Sequence, residues 1–160
     1  MRMEDKVVLI TGATGGIGTA NAIRFLDEGA SVFLTGRSPE KLDTLAKKLN
    51  KPAKIQSCVV EAIDEAAVER SITQCLSEFG RVDSIIANAG TEGKVQALEE
   101  YSVEDFNRTL LVNVTGVWLY LKHGLKPMRD QKSGSFVAIS SGAGSVGFPG
   151  LCPYSAVSYT

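Results

Sequence analysis

Short apolar runs alternate along the chain with longer stretches in which apolar residues recur at helical spacing. The runs predict strands, and the longer stretches predict helices with recognisable ends. Alternating strands and helices form βαβ units, so the pattern predicts an α/β fold with a parallel sheet that helices cover on both faces. The predicted strands are Lys6–Thr11, Ser31–Gly36, Ala53–Val60, Val82–Asn88 and Gly134–Ser141, and the predicted helices are Gly16–Gly29, Ser38–Asn50, Asp64–Gly80 and roughly Val103–Met128.

The last predicted helix is apolar around most of its circumference. A helix of this kind is expected to be buried on more than one side. The sheet would cover one side, and we expect a like subunit to cover the other, so that the region 103–128 predicts a homodimer or homotetramer. The apolar positions are Leu110, Leu111, Val112, Val114, Val117, Trp118, Leu119, Tyr120 and Leu121.

Composition and charge exclude several classes of protein. The chain has 160 residues, 44% of them hydrophobic, and a net charge of −1, which gives no basic surface for nucleic acid or an anionic membrane. The acidic start is unlike a signal peptide, and no apolar run approaches the ~20 residues of a membrane helix. Three cysteines without a CxxC pair favour reduced thiols and a cytoplasmic protein. The single histidine, His123, is expected in solvent after an apolar helix, and no metal site is predicted.

The first predicted strand runs into a glycine-rich stretch, "TGATGGIG", which opens the first predicted helix. Gly12 allows a tight turn, Gly16 leaves room for the backbone to approach a pyrophosphate, and Gly18 lets the helix pack close to the sheet. The N–H groups at the start of the helix then face the anion, helped by the helix dipole. The stretch therefore predicts a dinucleotide site, which also includes Thr14, Gly15 and Ile17.

The end of the second strand bears on the choice of dinucleotide. An acid at this place typically holds the ribose 2′-hydroxyl of NAD, but the chain has Gly36 followed by Arg37. An arginine can pair bidentately with a 2′-phosphate. NADP(H) is therefore favoured over NAD(H).

Five motifs in order resemble those of the short-chain dehydrogenase/reductase family. They are the TGxxxGxG spacing of the glycine stretch, "ANAG" (Ala87–Gly90), "LLVNVTGVW", "VAISSGAG" and "YSAVS". The resemblance implies a Rossmann-like doubly wound sheet and an oxidoreductase that transfers hydride between a nicotinamide and a carbonyl or secondary alcohol. It further implies the following roles: Tyr154 as acid/base, Ser141 as hydrogen-bond donor to the substrate oxygen, Asn113 as support for an ordered water, and Asn88, Ala89 and Gly90 as cofactor-binding residues.

The chain also departs from the family pattern. Family members carry a lysine four residues after the tyrosine, where its cation lowers the pKa of the phenol and it holds the nicotinamide ribose; here that position is Ser158. The aspartate that often lies near the adenine is absent, and either Glu61 or Asp64 could replace it. The family also continues beyond the tyrosine, so we expect the single dinucleotide-binding domain 1–160 to be incomplete after Tyr154, with its last strands missing and the chain ending before the next helix. A second hypothesis is therefore a truncated, non-catalytic family member that binds nucleotide or dimerises without turnover.

Overall fold

The computed structural model describes residues 1–158; Tyr159 and Thr160, at the end of the predicted domain 1–160, lie outside the described residues. Strands and helices alternate as the apolar pattern predicts. The strands are β1 (Val7–Ile10), β2 (Ser31–Gly36), β3 (Ile55–Val59), β4 (Ser84–Ala87) and β5 (Ser135–Ala138). The helices are α1 (Gly16–Asp27), α2 (Pro39–Leu49), α3 (Glu65–Phe79), α4 (Val103–Leu110), a π-helical segment (Leu111–Thr115), α5 (Gly116–Asp130) and α6 (Cys152–Ser158), with 3-10 turns at Pro52–Lys54, Leu98–Glu100 and Gly142–Gly144.

The strands described in residues 1–158 form one sheet in the order β3-β2-β1-β4-β5, and all neighbours are parallel. Chain order therefore reverses between β1 and β4, which confirms the Rossmann-like, doubly wound prediction. Side chains of β1 alternate between two cores. Val8 and Ile10 pack with α1 and α2, whereas Val7 and Leu9 pack with α3 and α5. The carboxyl ends of β1 and β4 thus open into the crevice where such folds bind ligands.

The predicted starts of the second and third helices are confirmed. Ser38 accepts a hydrogen bond from the Lys41 N–H at 3.2 Å, with Pro39 as the first helical residue, and Asp64 accepts from the Ala67 N–H at 3.1 Å. The third strand begins later than predicted, at Ile55. A 3-10 turn occupies Pro52–Lys54, in which the Lys54 N–H donates to the Lys51 carbonyl at 2.9 Å rather than to a neighbouring strand.

The long helix runs without a break from α4 through the π-helical segment into α5, and so extends two residues beyond the predicted end. Its inner side chains are buried, and an outer stripe of side chains is exposed in the single chain. The predicted burial of a second side of this helix would therefore require a partner subunit. The buried apolar residues include Val112, Leu119 and Tyr120, and the exposed ones include Leu111, Val114, Trp118 and Leu125.

Two expectations about positions were wrong. His123 does not follow the helix in solvent: it lies within α5, its side chain is 17% exposed, and its Nε2 lies 3.0 Å from Glu65 Oε1 on α3. The described chain also does not end before the next helix, because Tyr154 lies inside α6. Within residues 1–158, no helix has the length and apolar character that crossing a membrane requires.

Candidate functional site

The glycine stretch links β1 to α1 with very little room for side chains. Gly12 has a positive φ of 60°, and a Cβ there would lie 2.9 Å from the Ala89 Cα. A Cβ at Gly18 would clash with the Gly12 carbonyl oxygen and lie 2.7 Å from the Ala13 Cα. A Cβ at Gly16, in contrast, would meet no described atom within 4 Å. The fold therefore requires glycine at Gly12 and Gly18. At Gly16 it would tolerate a side chain, so packing within the chain does not explain the glycine there.

The first turn of α1 lacks the capping found on its neighbours. No side chain caps Gly15, and the first turn contains no acidic residue. Helices α2, α3 and α4 each begin with a side-chain oxygen, from Ser38, Asp64 and Ser102, that accepts a backbone N–H. The leading N–H groups of a helix need an acceptor, and an anion can supply it. Among helices α1 to α4, α1 is thus the one whose leading N–H groups have no side-chain acceptor.

The loop after β4 is attached to the glycine loop through Thr11. The Thr11 Oγ1 accepts hydrogen bonds from the N–H groups of Asn88 at 2.9 Å and Ala89 at 2.8 Å. The Asn88 side-chain amide donates to the carbonyl oxygens of Thr11 at 3.0 Å and Gly12 at 3.2 Å. The predicted cofactor residues after β1 and after β4 therefore form one rigid floor at the carboxyl edge of the sheet.

A cavity of about 770 Å³ lies over this floor. Ligand pockets typically enclose about 300–1,000 Å³, so the space suits a dinucleotide-sized ligand. Arg37 lines it, and so does Lys41 one turn into α2; the side chains of both are exposed and form no ion pair within residues 1–158. The predicted cofactor residues on its wall are Gly12, Thr14, Gly15, Gly16, Ile17, Arg37, Asn88, Ala89 and Gly90. Gly18 is buried behind the wall, as its packing role requires.

Of the two candidates for an adenine-side carboxylate, only Glu61 lines the cavity. Asp64 is committed to capping α3 through the Ala67 N–H. Glu61 lies opposite Arg108 of α4, whose Nη2 approaches its Oε2 to 3.3 Å. Of these two carboxylates, Glu61 is the one whose position remains compatible with the sequence prediction.

Asn113 lies in the middle of the π-helical segment and points at the loop after β4. Its Oδ1 accepts from the Thr91 N–H, and its Nδ2 donates to the Thr91 carbonyl, each at 2.8 Å. Both polar groups of the Asn113 side chain therefore bond to the main chain of Thr91. Among the described residues, the cavity wall includes Thr91 but not Asn113.

Ser141 and Tyr154 lie beyond the end of β5, outside the wall of this cavity. The Ser141 Oγ accepts from the Ala143 N–H at 3.2 Å and so starts the turn Gly142–Gly144, against which α6 packs. Tyr154 is half-buried in α6, and no hydrogen bond joins its side chain to Ser141 within residues 1–158. Ser158 donates to the Tyr154 carbonyl at 2.7 Å, a bond within its own helix. The fold thus brings most of the predicted cofactor residues together around one cavity, whereas Ser141 and Tyr154 lie outside its wall.

Sequence reasoning missed Thr11, Lys41 and Arg108. A hydroxyl residue at the end of β1 and a cation four residues after Arg37 were visible signals, because a helical turn places Lys41 over the same end of the sheet. No signal was available for Arg108. Its ion pair with Glu61 spans 47 residues and exists only in the folded chain.

The fold and site define a Rossmann-like protein with a glycine-loop cavity, and comparison with known proteins identifies its family. The profile of the family described as short chain dehydrogenase matches residues 6–157. The chain belongs to the short-chain dehydrogenase family, and this confirms the resemblance inferred from the five motifs.

The chain is similar to several named relatives. It is 36% identical to levodione reductase of Leifsonia aquatica over 99% of this chain and 60% of that protein, and 35% identical to 3-oxoacyl-(acyl-carrier-protein) reductase FabG of Thermotoga maritima over 98% and 63%. Among solved structures, NAD+-bound xylitol dehydrogenase superposes with a TM-score of 0.95 at 31% identity, covering 99% of this chain and 62% of that one. The chain therefore spans about 60% of the length of the curated relatives it matches.

Proposed function

We propose that this chain forms the cofactor-binding part of an NADP(H)-dependent oxidoreductase acting on a carbonyl or a secondary alcohol. The observation that carries the proposal is the uncapped start of α1, which faces a cavity of about 770 Å³. The N–H groups of that turn would receive the pyrophosphate. Gly16 would provide the open space for it, and Asn88, Ala89 and Gly90 would border the nicotinamide half.

The preference for NADP(H) rests on charge at the end of β2. Gly36 has no side chain to bind a ribose 2′-hydroxyl, and the next residue is Arg37. The side chains of Arg37 and Lys41 both line the cavity without ion-pair partners within residues 1–158, so both cations are available to a 2′-phosphate. The NAD+ in the structure of xylitol dehydrogenase shows what that relative binds, and the acid-free end of β2 supports a different choice for this chain.

The proposed chemistry needs a hydride, a proton and a hydrogen-bond donor. A bound nicotinamide would supply or accept the hydride. In reduction, the Tyr154 hydroxyl would give its proton to the substrate oxygen, and the Ser141 hydroxyl would donate a hydrogen bond to the same oxygen. Asn113 would act through the loop at Thr91 that it holds, and would thereby keep a place for an ordered water.

A second candidate is a family member that binds nucleotide without turnover. The observation in its favour is Ser158, which occupies the position of the family's lysine and whose hydroxyl bonds to the Tyr154 carbonyl. In the family, a cation at this position stabilises the tyrosine phenolate, and Ser158 carries no charge. Oxidation of an alcohol would therefore be slow in this chain.

We further propose that the exposed apolar stripe of the long helix binds a second copy of the chain, as a homodimer or homotetramer. Trp118 is 52% exposed, and Leu111, Val114 and Leu125 lie in the same outer stripe. Large apolar residues grouped in this way on a surface mark interaction sites. A cytoplasmic location is part of the proposal and is supported by free thiols at Cys58, Cys75 and Cys152.

Titration of the protein with NADPH and NADH tests the proposal. Wild type should bind NADPH more tightly, and Arg37→Asp should weaken NADPH binding while strengthening NADH binding. Arg129→Asp makes the same charge change on α5, away from the cavity wall, and should leave both affinities unchanged. Affinities that do not move in opposite directions in Arg37→Asp would contradict the cofactor choice. Turnover of a panel of ketones with NADPH then separates the enzyme from the non-catalytic binder.

A further inference from the structure

A hydrogen bond between two buried hydroxyl groups lies beneath the cavity. The Tyr120 hydroxyl, on α5, lies 3.1 Å from the Thr35 Oγ1, on β2, and the two residues are 85 positions apart in the chain. Tyr120 is 2% exposed and Thr35 is 1% exposed, yet both belong to the cavity wall. The bond therefore joins the long helix to the end of β2, two residues before Arg37.

The two hydroxyl groups lie in largely apolar surroundings. The Tyr120 ring packs in the core on the α3 and α5 side of the sheet, together with Phe33 and Val68. Burial raises the pKa of Tyr120, and hydrogen bonds to Thr35 and Ser71 only partly oppose that rise, so the phenol is neutral. A hydrogen bond between neutral groups adds little net stability, because both groups lose hydrogen bonds to water on folding. Stability alone is therefore a weak reason for this pair.

Thr35 lies where β2 leaves its regular pairing with β1. The ladder between those strands ends at Leu34, and beyond it the Thr35 carbonyl accepts from the Ala13 N–H of the glycine loop at 3.0 Å. Thr35 and Gly36 remain paired with β3. Among the described residues, Tyr120 is the hydrogen-bond partner of the Thr35 side chain. The end of β2 is thus held by the glycine loop, by β3 and, through a side chain, by the long helix.

Arg37 depends on this strand end for its position. It follows Gly36, so Thr35 is the last residue of β2 with a side chain that can pack. The Arg37 side chain is exposed and forms no ion pair within residues 1–158. Bidentate pairing of a guanidinium with a phosphate needs two aligned hydrogen bonds, so it is sensitive to small displacements of the backbone. NADH has no 2′-phosphate, so its binding does not depend on this alignment.

We propose that Tyr120 is a positioning residue whose hydrogen bond to Thr35 fixes the end of β2, so that Arg37 meets the 2′-phosphate and the site prefers NADPH over NADH. This inference rests on the proposed function, because it requires NADP(H) in the cavity. Without the Tyr120 hydroxyl, the Thr35 side chain loses its partner and the strand end gains freedom. The Arg37 guanidinium then spends less time in the geometry that binds phosphate, so affinity for NADPH falls while affinity for NADH is retained.

Isothermal titration with NADPH and NADH tests the inference. Tyr120→Phe and Thr35→Val each remove one hydroxyl, and each should lower the ratio of NADPH affinity to NADH affinity by about two- to tenfold through weaker NADPH binding. Thr35→Ser keeps a hydroxyl and should retain most of the ratio. Tyr101→Phe is the matched control and should leave the ratio unchanged. It also removes a phenol hydroxyl bonded within the fold, to the carbonyls of Lys94 and Gly150, but Tyr101 lies outside the cavity wall.

A double-mutant cycle shows whether Tyr120 acts through Arg37. In an Arg37→Met background the 2′-phosphate has lost its partner, so adding Tyr120→Phe should leave the affinity ratio of that background unchanged. The combined Tyr120→Phe and Thr35→Val variant should lower the ratio no further than either single variant, because both remove the same bond. Additive effects of Tyr120→Phe and Arg37→Met would overturn the inference.

The two affinities separate selectivity from structural damage. Equal weakening of NADPH and NADH binding in Tyr120→Phe would show a general structural role and would overturn the inference, as would an unchanged ratio; either result leaves the proposed function intact. Thr35→Val carries the same test if Tyr120→Phe fails to fold. A wild type that binds neither nucleotide, or that does not prefer NADPH, would overturn the proposed function and, with it, this inference.

Discussion

Asn113 and Thr91 are joined by two hydrogen bonds of 2.8 Å, through which one side-chain amide satisfies both main-chain groups of a residue on the cavity wall. The π-helical segment brings Asn113 to this position. Single π-helical turns within α-helices are often found at functional sites. The relationship couples the middle of the long helix to the loop that borders the proposed nicotinamide half.

Replacing Asn113 with alanine should therefore affect both stability and binding. The variant leaves the Thr91 N–H and carbonyl without their partner, which costs about 1–3 kcal/mol of unfolding free energy. Urea unfolding measures this loss, and NADPH titration should show weaker binding because Thr91 lines the cavity. Asn107→Ala, at an exposed position of α4, is the matched control and should change neither property. Equal effects at the two positions would contradict the coupling.

Two glycines of the first loop should respond differently to alanine. Gly16→Ala should fold with unchanged or slightly higher stability, because its Cβ meets no described atom within 4 Å and alanine favours a helix by about 0.5–1 kcal/mol. It should nevertheless bind NADPH more weakly, because the methyl group occupies the space proposed for the pyrophosphate.

Gly18→Ala should instead lose stability, by about 1–3 kcal/mol, because its Cβ clashes with the backbone of Gly12 and Ala13. Thermal unfolding and NADPH titration of both variants check the contrast. If Gly16→Ala bound NADPH as wild type does, the placement of the pyrophosphate would be wrong.

Asp83 should make stability depend on acid pH. Its carboxylate accepts from the Val7 N–H at 2.9 Å and from Arg81 at 2.7 Å and 2.6 Å, with Lys6 nearby. Burial alone raises the pKa of Asp83, but the hydrogen bonds from Arg81 and Val7 and the nearby positive charges outweigh it, so the pKa lies below its usual value.

A lowered folded-state pKa means that Asp83 stabilises the fold above the pKa of the unfolded chain, about 3.9, and loses this effect as pH falls toward the folded value. Asp83→Asn should therefore cost about 3 kcal/mol at pH 7 and much less at pH 3, as measured by urea unfolding at the two pH values. Asp43→Asn, which removes an exposed ion pair with Lys47, should cost about 0.5 kcal/mol or less. A cost for Asp83→Asn that is the same at both pH values would exclude the charge as its cause.

Restoring a cation near Tyr154 should increase catalysis if the chain is an enzyme. Ser158→Lys places an ammonium one helical turn after the tyrosine, where it stabilises the phenolate. Oxidation of a secondary alcohol at pH 7 should accelerate by about 10²–10³-fold. Ser158→Met has a side chain of similar length without charge and should show no such gain. Equal rates for the lysine and methionine variants would mean that the charge at this position is not limiting.

The alternation of strands and helices, the caps at Ser38 and Asp64 and the glycine loop could all be predicted from the sequence. Each depends on residues close in the chain: an N-cap needs one side chain and the next turn, and a parallel strand needs an apolar run between helices. The family motifs, which are also short local stretches of sequence, identified the candidate site residues. Their grouping was harder to predict, because Asn113 contacts the chain rather than the cavity and Tyr154 lies outside the cavity wall.

The sequence by itself determined the order of the elements, the parallel sheet and the glycine loop, because local backbone preference and apolar spacing depend on residues close in the chain. Its motifs also determined the family. Only the tertiary structure decided that Glu61 rather than Asp64 faces the cavity and that His123 pairs with Glu65. It also decided that Arg108 reaches the end of β3. The contacts of His123 with Glu65 and of Arg108 with Glu61 join residues that are far apart in the chain, and they arise only when packing of the long helix brings the side chains within a few ångströms.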